Sequence, residues 1–455
     1  MADLVEPKPL SGFQDLLPAD ALALEQVVER ARVVFRGYGY APIDAPCVYR
    51  YETLTGGRAG IDKQLFEWRK ADARGEGEHL ALRFDLTVPL ARYVAANAGK
   101  LAFPFRACHV GKVWRGERAQ RGRYREFYQC DFDIVGTTAA SADLEIALVA
   151  TDVLAAMDVG RFQVRLNDRA ILNGLLASLS LADRAADVLR VMDKLDKAGE
   201  DAVRDELARP DSGERPGLGI GEASAEAILA FTRLSKHDEG AALMAALASR
   251  FAGNAPALGG VERLRFVLDG ARKLRGVERF TVDLSIARGL GYYTGTVYET
   301  MLTDAPGFGS VCSGGRYDDL ASYYSKQRFP GVGGSVGLSR LLAAAGEKAA
   351  GARPIVLVAT APGVDPLRAA EIADRLRQGG VAAEVYPQPL AGAEDAAKLK
   401  KQITYADASH AALVAIVAPD ELARDAVVLR DMTAGTQEEV PLADVVGRVR
   451  GRLAP

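Results

Sequence analysis

Apolar positions in the first 160 residues change from helical to strand spacing. Residues 21–40 (ALALEQVVERARVVFRGYGY) place apolar side chains three and four positions apart, which predicts an amphipathic helix ending near Gly37 and Gly39. The runs LALRFDLTVPL and REFYQCDFDIVG combine aromatic and branched residues with partial alternation, which predicts strands. Residues 1–161 are therefore expected to mix helices and strands.

Two further changes of pattern divide the rest of the chain. Residues 162–276 are rich in Ala, Leu and charged residues at helical spacing, which predicts a helical block. Strand-like runs, RFTVDLSIA and YYTGTVYETML, return within residues 277–346. After the linker KAAGARP, residues 353–455 alternate short apolar strands with helices at 366–378 and 395–406, which predicts a small α/β domain with a largely parallel sheet.

Composition excludes several classes of protein. Of the 455 residues, 49% are hydrophobic and 26% charged, which is ordinary for a folded protein, and the net charge of −3 gives no overall positive field for nucleic acid. A local basic patch remains compatible with that charge. The four cysteines and four histidines lack ligand spacing, so neither a disulfide framework nor a metal site is expected. The chain shows no secretory leader and no run of about 18 apolar residues, so we expect a cytoplasmic protein without membrane contact.

The densest chemical signal lies in residues 106–136 (RACHVGKVWRGERAQRGRYREFYQCDFDIVG). Seven Lys or Arg residues stand between positions 106 and 125 against one acid, Glu117, a run that a solvated basic loop also explains. In the following strand Gln129, Asp131 and Asp133 alternate, with Phe127 in phase, so strand periodicity places them on one face. That face is either the floor of a pocket or an ordinary polar surface.

Two glycine-rich stretches follow later in the chain. In SIARGLGYYTGTVYE, Arg288 stands beside a Gly-Leu-Gly turn, which suits a phosphate but also fits a hairpin with a surface arginine. In PGVGGSVGLSRLL, Gly333, Gly334 and Gly337 precede a helical run that carries Arg340. An anion site and tight helix–sheet packing explain this pattern equally well. The P-loop and dinucleotide signatures are absent. The residues alone favour chemistry on a phosphate ester without a covalent protein intermediate.

These stretches, in this order, resemble the signatures of class II aminoacyl-tRNA synthetases. GYAPIDAP resembles motif 1, the arginine-rich segment motif 2, and GVGGSVGLSRLL motif 3. RGLGYYTGTVYE and SGGRYDDL resemble the two peptides typical of the histidyl-tRNA synthetase family, and the similarity extends from GFQDLLP to LKKQITYADASHAALVAIV. The chain departs from the usual family pattern at Gly291, Asp319 and Ser339.

The resemblance implies a fold of the α/β class in several parts. An α+β catalytic domain on an antiparallel sheet would comprise residues 1–161 and 277–346, interrupted by a helical insertion domain at 162–276. An α/β anticodon-binding domain would follow at 353–455. Motif 1 implies a homodimer.

The resemblance also implies an activity: L-histidine and ATP form histidyl-adenylate and pyrophosphate, and histidine then passes to the 3′ end of tRNA(His). Asp85, Thr87 and Gln129 match positions that hold the amino group, while Asp133 and Tyr293 match positions that read the imidazole. The remaining residues implied at the histidine site are Leu86, Arg115, Arg288 and Tyr292. The residues implied at the ATP site are Arg115, Glu117, Arg123, Phe127 and Arg340.

Arg115 and Arg288 match the two arginines that hold the α-phosphate, and are the expected catalytic residues. Magnesium is expected to accompany ATP and pyrophosphate. The alternative is a non-catalytic relative, the regulatory subunit of ATP phosphoribosyltransferase in histidine biosynthesis. In that relative the C-terminal module is generally missing and the ATP-site arginines vary. This chain has the module as well as Arg115, Arg288 and Arg340.

Overall fold

The computed structural model describes residues 5–56, 65–71, 77–118, 122–212, 217–237, 240–287, 293–345, 353–387 and 398–453. The chain divides into two compact units, Met1–Ala349 and Ala350–Pro455.

The first unit contains eleven strands and twelve α-helices within the described residues. The strands are β1 (Ala41–Pro42), β2 (Val48–Arg50), β3 (Glu67–Ala71), β4 (Gly77–Leu82), β5 (Phe105–Trp114), β6 (Glu126–Val135), β7 (Phe162–Asp168), β8 (Phe280–Val282), β9 (Thr296–Leu302), β10 (Ser310–Tyr317) and β11 (Gly331–Gly337). The helices are α1 (Pro18–Gly37), α2 (Tyr51–Thr55), α3 (Thr87–Asn97), α4 (Ala140–Ala156), α5 (Arg169–Ser178), α6 (Ala185–Met192), α7 (Leu195–Ala198), α8 (Glu200–Ala208), α9 (Glu222–His237), α10 (Ala241–Arg250), α11 (Ala255–Arg275) and α12 (Leu338–Ala345).

An eight-stranded sheet forms the centre of this unit, in the order β1-β5-β6-β11-β10-β9-β7-β8. All neighbours from β5 to β7 are antiparallel, and only the edge strands β1 and β8 pair in parallel. The antiparallel sheet expected from the resemblance is confirmed. Strands β2, β4 and β3 form a separate three-stranded antiparallel sheet.

Alternation along β6 divides the sheet into an apolar face and a polar face. Cys130, Phe132 and Ile134 are buried in the main hydrophobic core, where the rings of Phe132 and Phe35 lie 5.7 Å apart. The intervening polar residues point to the opposite face, because successive side chains of a strand alternate. Helices α1 and α4 therefore cover one face, and the other is available for a site.

Two predicted elements of the first unit were assigned wrongly. LALRFDLTVPL was predicted as one strand, but β4 ends at Leu82 and α3 begins at Thr87. The carboxylate of Asp85 accepts a hydrogen bond from the backbone N–H of Val88 at 3.1 Å, which stabilises the start of a helix there. The helical block predicted at 162–276 begins instead with β7, whose alternating residues Phe162, Val164 and Leu166 are buried in the central sheet.

Helices α5 to α11 follow β7, and a partly buried ion pair joins this helical segment to the sheet. Arg263 of α11 donates to the carboxylate of Asp168, at the end of β7, with a distance of 2.8 Å from Nε to Oδ2. Asp168 is fully buried and also caps α5 by accepting from the N–H of Ala170. The segment is therefore anchored to the strand that precedes it.

The second unit has a five-stranded sheet. Its elements are β12 (Arg353–Thr360), α13 (Pro366–Gln378), β13 (Ala383–Val385), α14 (Leu399–Ala408), β14 (Ala411–Val417), α15 (Pro419–Leu422), β15 (Ala426–Asp431), β16 (Gln437–Pro441) and α16 (Val445–Leu453).

The strand order of this second sheet is β13-β12-β14-β15-β16. Strand β12 is parallel to β13 and β14, but β15 and β16 pair antiparallel, so the sheet is mixed and the prediction of a largely parallel sheet was wrong. The short turn between β15 and β16 cannot provide the long crossover that parallel strands need. The start of the helix predicted at 395–406 lies outside the described residues. Within the described parts of both units, no helix is long and apolar enough to span a membrane.

Candidate functional site

A row of polar side chains follows the open face of β6. Gln129, Asp131 and Asp133 are all at least nine-tenths buried, and Phe127 lies in phase with them. Strands β5 and β11 flank β6 in register, with Gly111 and Gly337 opposite Gln129. The row is therefore not the solvated surface that the sequence left open as an alternative.

Glycines on the neighbouring strands make room for these side chains. A Cβ at Gly333 would stand 1.8 Å from Oδ1 of Asp133, and one at Gly315 would stand 2.9 Å from the ring of Tyr293. No side chain fits at such distances. The glycines of SGGRYDDL and GVGGSVG thus lie in strands β10 and β11, where they let an acid and an aromatic ring approach the sheet, and the helix begins only at Leu338.

Asp133 has a partner that the sequence analysis did not identify. The hydroxyl of Tyr317 donates to its Oδ1 at 2.7 Å, and both side chains are buried. Burial, opposed by this hydrogen bond and assisted by the charge of Asp85, raises the pKa of Asp133 to about 7. The only sequence signal for Tyr317 was its position two residues after Gly315, on the same strand face.

The segment from Arg83 to Thr87 crosses the end of this row. Arg83 is buried and donates to the carbonyls of Lys112 and Ala45 at 2.8 and 2.7 Å, so it fixes the turn between β4 and α3. Asp85 and Leu86 are buried and Thr87 is partly exposed. The charge of Asp85 acts on both Asp131 and Asp133, which places the three acids within electrostatic reach of one another.

Arg115 approaches the acids from the end of β5. Its Nε donates to the carbonyl of Phe84 at 2.9 Å, and its guanidinium carbon lies 5.1 Å from the centre of the Phe127 ring. A cation over an aromatic face is an attractive arrangement. The positive charge of Arg115 also lowers the pKa of Asp131, although burial keeps that pKa well above its usual range.

Three other basic residues of the run form ion pairs with acidic side chains. Arg106 pairs with Glu145 and Lys112 with Glu126, each at 2.7 Å. Arg123 pairs with Glu117, so two residues predicted at the ATP site contact each other. Ion pairing therefore accounts for these three residues, two of which lie on β5 rather than on a solvated loop, whereas Arg115 turns toward the acids.

Helix α12 closes the site beside β11. Arg340 donates to the carbonyl of Ser310, and the hydroxyl of Ser339 accepts from the N–H of Tyr128 at 3.1 Å. Ser339 is one of the departures from the family pattern. It hydrogen-bonds to β6 at Tyr128, next to Gln129, where the pairing of β6 with β11 ends. Arg288, Gly291 and Tyr292 lie outside the described residues.

The site therefore brings buried acids and an amide beside an arginine and an aromatic ring. Carboxylates and amide oxygens accept hydrogen bonds from ammonium and imidazole groups, and arginine suits phosphate oxygens. Among the described residues no cluster of three His, Cys, Asp or Glu could hold a metal ion.

Comparison with known proteins gives a consistent picture along the chain. The family model for histidyl-tRNA synthetase matches residues 12–341, and the model for the anticodon binding domain matches residues 356–452. A histidine–tRNA ligase from Rhodopirellula baltica is 41% identical over 447 residues, covering 96% of each chain. One from Wolinella succinogenes is 40% identical over 444 residues, again covering 96% of each chain.

Comparison with solved structures leads to the same family. The crystal structure of histidyl-tRNA synthetase from Nostoc sp. PCC 7120 matches with a TM-score of 0.83 and 30% identity, covering 99% of this chain and 100% of that one. A Bacillus halodurans protein described as an ATP phosphoribosyltransferase regulatory subunit/histidyl-tRNA synthetase has a TM-score of 0.72 at 22% identity, covering 91% of this chain and 99% of that one, which shows a shared fold alone. Since one family model spans most of the chain and relatives match it from end to end, the chain belongs to the histidyl-tRNA synthetase family.

Proposed function

We propose that the protein activates L-histidine with ATP, forming histidyl-adenylate and pyrophosphate, and then transfers histidine to the 3′ end of tRNA(His). The observation that carries this proposal is the buried polar row on β6 beside Arg115. It offers acceptors for an amino acid and a guanidinium for a phosphate within one face of the sheet.

In this proposal the amino group of histidine binds to Asp85, Thr87 and Gln129, because an ammonium group needs acceptors. Asp133 accepts from the imidazole, with Tyr293 at the other side of the ring. The hydrogen bond from Tyr317 supports this role, since it fixes one oxygen of Asp133 and leaves the other for a ligand. Leu86, Arg115, Arg288 and Tyr292 complete the proposed histidine site.

Phe127 provides the surface on which adenine stacks, with Glu117, Arg123 and Arg340 as further nucleotide contacts. The histidine carboxylate attacks the α-phosphorus, and negative charge then increases on the phosphate oxygens. Arg115 and Arg288 are proposed to stabilise that charge, which lowers the barrier because the interaction is stronger in the transition state than in the ground state.

Magnesium is proposed to enter with ATP. Phosphate oxygens and water supply most ligands of Mg²⁺ in such sites, so the protein need not supply a dedicated cluster of acids. This fits the donor set here, where Glu117 is paired with Arg123 and the acids of β6 are buried.

We also propose a homodimer, formed through motif 1, and a cytoplasmic location. Strand β1 of motif 1 supports the dimer, because it is an exposed edge strand that pairs only with β5 among the described strands. Sedimentation velocity of the purified chain tests the dimer, and cell fractionation tests the location.

The proposed catalytic domain combines residues 1–161 and 277–346, with the insertion between them, and residues 353–455 are proposed to bind the anticodon.

Charging of tRNA(His) transcript with labelled histidine tests both halves of the reaction. The intact chain should charge this tRNA, and residues 1–349 should charge it poorly at low tRNA concentration, since a second binding site raises affinity through effective concentration. A folded fragment that charges as well as the intact chain refutes the anticodon assignment, and an intact chain that charges nothing favours the regulatory-subunit alternative.

A further inference from the structure

Three side chains of β6 and β11 form a hydrogen-bonded series on the open face of the sheet. Asp131 and Ser335 stand opposite each other in register, and Gln129 lies two residues along the same face. The hydroxyl of Ser335 donates to Oδ1 of Asp131, and Nε2 of Gln129 donates to Oγ of Ser335 at 2.7 Å. Neither Asp131 nor Ser335 was predicted to contact a substrate.

The direction of these hydrogen bonds fixes the orientation of the Gln129 amide. An ionised Asp131 only accepts, so the single hydroxyl hydrogen of Ser335 is used toward it. The Oγ of Ser335 can then only accept from Gln129, and of the two amide atoms only the nitrogen carries hydrogens. The nitrogen therefore faces Ser335, and Oε1 faces the other way.

That oxygen is buried and has no hydrogen-bond donor among the described residues. An unpaired buried acceptor costs about 1–3 kcal/mol, so such an atom usually has a partner in the functional state. An ammonium group has donors only and suits this oxygen, with the charges of Asp85 and Asp131 close by.

We propose that Asp131 and Ser335 are positioning residues, which hold the Gln129 amide with its oxygen toward the amino group of the amino-acid substrate. This inference rests on the proposed function, because it deepens the binding of histidine at the same site. In this role Asp131 acts through Ser335, whose hydroxyl donates to its Oδ1.

The surrounding charges support this arrangement. Burial raises the pKa of Asp131, with Asp133 and Asp85 adding to the effect, while Ser335 and Arg115 oppose it. A protonated Asp131 could donate to Ser335 and reverse the series, which would turn the amide nitrogen toward the ligand. A ligand ammonium near Gln129 favours the ionised carboxylate, so binding and the observed orientation reinforce each other.

The test compares two ligands by calorimetry: histidine, and imidazolepropionate, which keeps the ring and carboxylate but lacks the amino group. Ser335→Ala removes the series without changing any charge. We expect it to weaken histidine binding on the order of tenfold, the value of one charge-assisted hydrogen bond, and to change the affinity for imidazolepropionate by less than about threefold.

Asp131→Leu should act in the same sense, because the Ser335 hydroxyl then finds its acceptor in Oε1 of Gln129 and turns the amide over. Ser335→Thr, which keeps a hydroxyl, should retain the preference for histidine. Ser178→Ala is the control, since the Ser178 hydroxyl hydrogen-bonds only to the carbonyl of Leu175 in its own helix among the described contacts.

Equal weakening of both ligands by Ser335→Ala, or no change in either, overturns the positioning role. A wild-type protein that binds no histidine at all contradicts the proposed function instead, so the two failures are distinguishable. Thermal unfolding of each variant shows whether it is folded. Should Asp131→Leu fail to fold, the Ser335 variants still decide the question.

Discussion

At the scale of single residues, the site depends on buried polar side chains that lie very close to the backbone of the neighbouring strand. Asp133 lies against the backbone of β11, and a side chain as small as a methyl group at Gly333 would overlap its carboxylate. Interiors are packed too tightly to absorb such an overlap without moving the acid.

We therefore expect Gly333→Ala to displace Asp133 and to raise the KM for histidine by about tenfold or more, while the KM for ATP changes little, since a lost hydrogen bond to a charged group is worth about 1.5–3 kcal/mol. Gly99→Ala is a matched control, because a Cβ at Gly99 meets no atom within 4 Å. Pyrophosphate exchange at varied histidine and ATP measures both constants. An unchanged histidine KM in folded Gly333→Ala would contradict the role of Asp133.

His109 is a second residue whose position has a measurable consequence. It is buried, its ring nitrogens have no hydrogen-bond partner among the described residues, and Nε2 lies 3.6 Å from Asp44, too far for a hydrogen bond. Burial, followed by the positive charge of Arg83, lowers the pKa of His109 to about 4, from 6.5 for a free side chain. Between these values the unfolded chain binds a proton that the folded chain does not.

The free energy of unfolding should therefore fall as the pH decreases from 6.5 toward 4. The contribution of His109 to this fall is about 2 kcal/mol between pH 7 and pH 5. His109→Phe removes the titration and should flatten that part of the profile. Urea unfolding followed by tryptophan fluorescence is suitable, because both tryptophans, Trp68 and Trp114, belong to the first unit. Identical pH profiles for the two proteins would show that His109 is protonated normally in the folded state.

At the scale of secondary-structure elements, a buried ion pair ties β10 to α4. Arg316 and Asp143 are 1% and 0% exposed, and Arg316 also donates to the carbonyl of Thr137 at 3.0 Å. Two buried charges that satisfy each other in this way are tolerated, but either one alone is not.

Asp143→Ala should lower the free energy of unfolding by about 3–5 kcal/mol, because it leaves the buried Arg316 with only a longer contact to a carboxylate, that of Asp318 at 3.4 Å. The exposed pair of Arg161 and Asp304, at 84% and 50% exposure, provides the control. Asp304→Ala should leave the free energy of unfolding almost unchanged, because solvent screens an exposed pair. If the two substitutions have equal effects in urea unfolding, then Arg316 reaches water more easily than the structure indicates.

Periodicity along the chain predicted β6 and α1 well, because each has one face in the main core. It failed at Asp85, which stands in a run with strand-like alternation although its carboxylate accepts from the N–H of Val88 in the first turn of α3. It also failed at β7, which leads directly into a helical segment. Tyr317 and Ser335 were missed for a different reason. Their contacts with β6 depend on strand order and register, which spacing along one segment does not specify.

At the scale of the whole molecule, the described residues proposed for histidine and ATP all belong to the first unit. The second unit matches the anticodon binding domain over residues 356–452. In the proposed function, chemistry on the amino acid and recognition of the tRNA belong to different units, so activation of histidine should be measurable without tRNA.

The most direct test of the central claim is ATP–pyrophosphate exchange by the purified full chain, with each of the twenty amino acids in turn and no tRNA. We expect exchange with histidine alone. Arg115→Ala should reduce its rate by about 10²–10³-fold, the usual effect of removing one transition-state contact. Exchange that requires another amino acid, or none with any amino acid in a correctly folded protein, would contradict the assignment of this site to histidine activation.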